Sequence, residues 1–145
     1  MSTSSLPIKK NLIPVYDSDE EKQKILSMVD MDEIDRIELF GGRLIVAKWI
    51  RSKIGSIITV RETKKEDEYQ GKVGLVLKVG PLAFVDDENH NWCGLRAKVG
   101  DWVMYGHSDG SDFNYSLNGT HDQVPCKVLN EVEVQAILPR PDFAY

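Results

Sequence analysis

The chain has 145 residues, 41% of them hydrophobic and 28% charged, with a formal net charge of -5 at pH 7. This balance fits one soluble globular domain with room for an arm, and a domain of this size buries a core unaided. An acidic surface repels phosphate backbones and anionic bilayers, and Lys9-Lys10 and Lys64-Lys65 are too short to reverse that, so no nucleic acid and no membrane is expected as a partner.

The amino terminus, Met1 to Pro7, has no basic region followed by an apolar stretch, so no signal peptide is expected. Residues 1–16 mix Ser, Pro and Lys with scattered Leu and Ile, which fits an extended arm. Asp17 or Ser18 can cap a helix over 18–29, because a short side-chain oxygen accepts from the free N–H groups of the first turn. Asp19-Glu20-Glu21 complement the helix dipole there, and Ile25, Leu26 and Val29 supply an apolar face. Residues 1–36 thus form an arm with a short helix.

From Ile37 the pattern turns to strands. Leu44-Ile45-Val46-Ala47 is apolar on both faces. Val73, Leu75, Leu77 and Val79 alternate with Lys72, Gly74, Val76 and Lys78, which predicts one buried side. Trp102-Val103-Met104-Tyr105 reads as another short strand. Phe113, Tyr115 and Leu117 alternate with polar residues and lead into Asn118-Gly119, the dipeptide that a tight hairpin prefers. The return strand runs toward Cys126-Lys127-Val128-Leu129, with Pro125 expected at an edge or a strand start. Val134-Gln135-Ala136-Ile137-Leu138 closes the set before Pro139 and Pro141, leaving 139–145 as a tail. Many short strands with turns between them predict an all-β domain over 37–138, a small barrel or sandwich.

Between the first two strands lies a long excursion. It carries Lys53-Ile54-Gly55-Ser56-Ile57-Ile58-Thr59-Val60 and leaves through the polar run Arg61 to Glu68. A buried Ile or Val side chain contributes roughly 1.5–3 kcal/mol, so a loop rich in them either folds back on its own core or docks on a partner.

The order of these pieces resembles a known family. Arg43-Leu44-Ile45-Val46, the loop with Gly55-Ser56-Ile57-Ile58, Gly71-Lys72-Val73, Val79-Gly80, Lys98-Val99-Gly100-Asp101-Trp102-Val103, Leu117-Asn118-Gly119 and the closing Val134 to Leu138 are similar, in order and spacing, to the GroES-type co-chaperonins. The resemblance covers about residues 37–138. It implies a GroES-like β-barrel subunit that forms a homo-oligomeric, seven-membered dome, needs no cofactor, and caps a chaperonin by docking a mobile loop on its apical domain. Position by position, Gly55 matches the hinge glycine, and Ile57 and Ile58 match the first aliphatics of that loop. Thr59 stands where the family usually has a third aliphatic, with Val60 beside it to take that part. Residues 81–94 fall at the family's roof hairpin, so Asp86, Asp87 and Glu88 are expected to ring the dome opening with negative charge.

One arm burying two or three aliphatics binds weakly, because ordering it costs entropy. Several arms on one ring bind firmly, since each engagement raises the effective concentration of the next. The amino-terminal addition and the altered loop look like the co-chaperonins of tailed phages, which help a host chaperonin fold large capsid proteins in the host cytoplasm.

Fold does not fix function, so a second reading stands beside this one: a virion structural protein, such as a decoration, cement or neck subunit, with residues 1–36 clasping a neighbour among capsid or neck proteins. An enzyme is a poor fit. His107-Ser108-Asp109 holds triad residue types, but neighbours in sequence cannot converge on one point, and no catalytic residue is assigned. Cys93, Cys126, His90, His107 and His121 lack paired metal-ligand spacing, so no metal is expected, and two cysteines suggest a reducing compartment. Trp49 and Trp102 are expected in packing, with Trp92 exposed in the roof loop.

Overall fold

The computed structural model describes residues 18–49, 72–116 and 123–141. Six strands make one antiparallel sheet: β1 (Arg43–Lys48), β2 (Val73–Val79), β3 (Trp102–Met104), β4 (Ser111–Ser116), β5 (Gln123–Asn130) and β6 (Ala136–Leu138), in the spatial order β4-β5-β1-β2-β3-β6. Helices among the described residues are short, so the described fold is all-β in character. Among the described residues no pairing joins the two edge strands, β4 and β6.

The centre of the sheet is buried on both faces. In β1, Ile45 and Ala47 join one apolar cluster with Val73, Leu75, Leu77, Trp49 and Trp102, while Leu44 and Val46 join a second with Val76, Val103, Tyr105 and Leu129. The double-sided apolar run in β1 therefore reads as expected. In β2 the expectation of one buried side needs correction, because Val76 is fully buried on the opposite face from Leu75 and Leu77. A bulge explains where Val79 goes. Ile45 pairs with Lys78 and Val46 with Val76, which leaves Leu77 as the extra residue. The bulge changes the phase, so Val79 packs with the second cluster and Lys78 turns toward the helices.

The expected helix over 18–29 ends earlier. Helix α1 spans Ser18–Ser27, and the Ser27 hydroxyl donates to the Lys24 carbonyl at 2.7 Å, competing with further helical pairing. A second helix, α2 (Met31–Asp35), was not anticipated. Its start is set by Asp30, whose Oδ1 accepts from the N–H groups of Asp32 and Glu33 at 3.0 and 3.4 Å. Both helices cover one face of the sheet. Val29 and Ile34 are buried there, Ile25 and Leu26 pack alongside, and the Tyr115 hydroxyl donates to Glu33. At the other end of α2, the Lys78 ammonium donates to the Asp35 carbonyl, where the helix dipole favours a cation.

Pro125 sits where the chain tolerates it. It pairs with Asn114 of β4, but the β1–β5 ladder stops at Ala47 and Cys126, so its missing N–H interrupts no bond to β1. The turn with Asn118-Gly119 lies outside the described residues, yet β4 and β5 pair down to Ser116 and Gln123, as a hairpin requires.

Candidate functional site

Two connections leave this sheet for long excursions. The first joins β1 to its neighbour β2. Lys48 pairs with Gly74, and the Trp49 N–H donates to the Val73 carbonyl at 2.8 Å, so the chain leaves and re-enters the sheet at one point. Residues 49–72 thus form a long insertion where a two-residue turn would join such strands. Gly55, Ile57, Ile58, Thr59 and Val60 all belong to it, and they lie outside the described residues. What is described is their mount. Trp49 and Val73 at the base are buried in the helix-side core, which fixes both ends of the insertion.

The second excursion, residues 80–101, joins β2 to β3 and contains no strand. Ala83, Phe84 and Ala97 are buried in the second apolar cluster and seat the segment on the sheet. Phe84 holds a left-handed backbone with φ of 60°, which costs a bulky side chain about 1–2 kcal/mol. The Glu131 carboxylate offsets this by accepting the Phe84 N–H at 2.8 Å. Trp92 packs edge-on against Phe84, with ring centroids 5.2 Å apart, and His90 stacks on the other aromatic partner, Trp92, at 5.7 Å.

Of the three acids expected at the roof, two have internal work. Asp86 Oδ1 accepts the Trp92 N–H at 2.7 Å, and Asp87 Oδ1 accepts the N–H groups of Asn89 and His90 at 2.8 Å each. These backbone bonds, first from Asn89 and then from His90, hold the Asp87 carboxyl below its ordinary value. Glu88, next in the chain, is exposed. The acidic run is therefore also a turn-forming device, a role the residue types Asp and Asn signal locally.

The outer surface of this segment is apolar. Leu82, Val85, Leu95 and Val99 are all exposed. A concavity of about 350 Å³ lies against Phe84, Val85, Trp92 and Leu95, with Arg96 in its wall. A second, of about 560 Å³, lies between α2 and residues 96–99 and is lined by Met31, Leu77, Lys78, Arg96 and Lys98 among others. The buried Trp92 Nε1–H finds no acceptor among the described residues.

On the same face as the second cluster, β4, β5 and β1 bring together charges that sequence reading did not connect. Lys127 is 2% exposed, donates to the His107 carbonyl at 2.9 Å, lies over the Tyr105 ring at 5.2 Å and is 3.6 Å from Asp112. Lys48 reaches the same Asp112 oxygen at 2.9 Å. Burial alone would raise the Asp112 carboxyl, but the bond and charge of Lys48, with those of Lys127, outweigh it and hold it below its ordinary value. Burial, helped by the Asp112 charge, raises the Tyr105 phenol, whose hydroxyl donates to the Val73 carbonyl at 3.3 Å. A lysine inside the apolar stretch Cys126 to Leu129 was the only sequence signal of this cluster.

The Cys126 thiol is buried and pushed up to about 12, so it carries no thiolate at neutral pH. Among the described residues no group of three His, Cys, Asp or Glu side chains is placed to hold a metal ion, and no helix is long and apolar enough to cross a membrane. Comparison with family models and with curated proteins finds no match for the chain.

Proposed function

We propose that this chain is a co-chaperonin: a non-enzymatic, ring-forming subunit with a GroES-like barrel that presents residues 53–60 to the apical domain of a chaperonin. The observation that carries this reading is the paired base of the long insertion, where Lys48 and Trp49 meet Gly74 and Val73. Connections this long inside a compact domain are uncommon and are usually functional. Because the sheet already holds both ends together, a long insertion is carried here at small cost, each doubling of its length adding only about 0.6 kcal/mol to closure.

The order of strands supports the same reading: a strand, a long insertion with Ile57 and Ile58, a strand, a short strand, a hairpin and a closing strand, while residues 80–101, which include the expected roof hairpin, depart from it by forming no strand. Among the described residues β4 and β6 each pair on one side only, which suits assembly of neighbouring copies through strand edges into a homo-oligomeric ring. Such a subunit, if carried by a phage, would act in the host cytoplasm.

The test replaces Ile57 and Ile58 together with Ser. Pull-down by a nucleotide-bound chaperonin should be lost while native mass stays that of the wild-type ring; retained binding sinks the docking role. Stoichiometric presence of the chain in purified virus particles would instead favour a decoration, cement or neck subunit on the same scaffold.

A further inference from the structure

We infer that the groove between α2 and residues 96–99 is the seat of this chain's own residues 142–145, with Phe143 and Tyr145 as the side chains that fill it. Those four residues lie outside the described ones, and the sheet sets the point from which they depart. Strand β6 runs antiparallel to β3, so its last residue, Leu138, pairs with the first residue of β3, Trp102. Before Trp102, the turn 98–101 takes the place of β3 beside β2: the Gly100 N–H donates to the Val76 carbonyl and the Val76 N–H to the Asp101 carbonyl, each at 2.9 Å. A chain that continues past Leu138 therefore runs toward this turn, where residues 96–99 form one wall of the groove and α2 the other. Leu138 packs into the helix-side core, the face on which the groove opens, and Pro141 is buried, so the chain is still held against the protein where the described residues end.

The fit is apolar. Met31, Leu77 and Val79 line a concavity of about 560 Å³, and Val99, also in its lining, is 54% exposed. Asp32, Asp35, Lys78, Arg96 and Lys98 put both signs of charge in the walls, with Asp35 already 3.7 Å from Lys78, so charge selects no ligand there. Apolar cover is what the groove can take, and an aromatic ring buries roughly 150–250 Å². An extended course puts Phe143 and Tyr145, two positions apart, on the same side of the segment. Reach is sufficient: at about 3.4 Å per residue, Phe143 can extend roughly 17 Å and Tyr145 roughly 24 Å from Leu138. A tether this short keeps the rings at an effective concentration on the order of millimolar, which a free partner must exceed. The chain's other segments are poorer occupants. Residues 1–17 enter through α1, which lends no residue to the groove, and the insertion leaves from the Lys48–Gly74 pair, at the far end of β2 from Leu77 and Val79.

The test is NMR on the full-length protein with its Met, Leu and Val methyl groups and its aromatic rings labelled. Cross-relaxation between the rings of Phe143 and Tyr145 and the methyl groups of Met31, Leu77, Val79 or Val99 is expected. Replacing Phe143 and Tyr145 together with Ser should shift the amides of α2 and residues 96–99 and leave the β4–β5 hairpin unchanged. Val99→Asp, at an exposed position, should weaken the ring contacts at least threefold. Absence of these contacts in the wild type, or amides at 96–99 unmoved by the double replacement, overturns the inference. Contacts that arise only between labelled and unlabelled copies in a mixed sample would do so too, by giving the groove to residues 142–145 of a neighbour. Ile57 and Ile58 take no part in this measurement, so its failure leaves the docking of residues 53–60 to be judged by its own test.

Discussion

Glu131 and Phe84, 47 positions apart in sequence, are joined by a 2.8 Å hydrogen bond from the Phe84 N–H to the Glu131 carboxylate. The bond ties the segment that follows β2 to the 3-10 turn Glu131–Glu133 that follows β5. Because Phe84 has a φ of 60°, this acceptor fixes a conformation that the backbone would otherwise leave. Glu131→Ala should cost about 1–3 kcal/mol in urea unfolding and speed amide exchange at Phe84, because a part-buried donor loses its partner. Glu131→Gln keeps an acceptor and should recover most of that loss. An Ala variant as stable as the wild type would mean that Phe84 holds its geometry by packing alone.

Gly110 makes a separate prediction about backbone. Its φ is 73°, and an added Cβ would come within 2.5 Å of the Val128 carbonyl oxygen. Left-handed backbone alone costs an L side chain about 1–2 kcal/mol, and here the clash is with backbone of the neighbouring strand, which cannot swing aside. Gly110→Ala should therefore lower the urea midpoint clearly, by more than the same change at Gly94, where φ is 80° but nothing lies within 4 Å. Equal effects at both sites would refute the close approach of β5.

The Lys48–Asp112–Lys127 cluster predicts a pH dependence. The folded Asp112 carboxyl lies below its ordinary 3.8, so its contribution is present above that value and is lost as pH falls through the lower, folded value. Asp112→Asn should flatten the acid limb of stability measured below about pH 4, and should destabilise the protein at pH 7, because Lys127 keeps its charge without a carboxylate opposite. Replacing Lys127 by Met removes the buried charge itself and should be the milder change. An acid limb identical in wild type and Asp112→Asn would remove Asp112 from this account.

The two cysteines should differ in reactivity. Cys93 is exposed and Cys126 is fully buried, its thiol pushed up to about 12 by burial. A chromogenic disulfide reagent at pH 8 should modify one thiol in the native protein and two after denaturation. Prompt reaction of both would show that the β4–β5 hairpin opens.

The sheet was readable in the sequence because its signals are local. Leu44 to Ala47, Val73 to Val79 and the stretch from Phe113 to Leu129 carry their own periodicity, and the strands fall where it indicates. The bulge at Leu77 was not readable, since it depends on the register between β1 and β2, and it is what turns Val79 to the other face and Lys78 toward α2. Helix α2 was missed although Asp30 followed by Glu33 is a start signal, because five residues carry too little apolar pattern to stand out. Of the candidate site, Ile57 and Ile58 came from sequence and resemblance alone, whereas Arg96, Glu131 and Lys127 gained meaning only from neighbours distant in the chain.

Docking of the insertion held at Trp49 and Val73 on a chaperonin, as proposed above, is tested by co-sedimentation of the isolated protein with a chaperonin ring, with and without ATP. Nucleotide-dependent binding of one ring of this chain per chaperonin end is expected, and absence of binding in every nucleotide state would rule the docking role out.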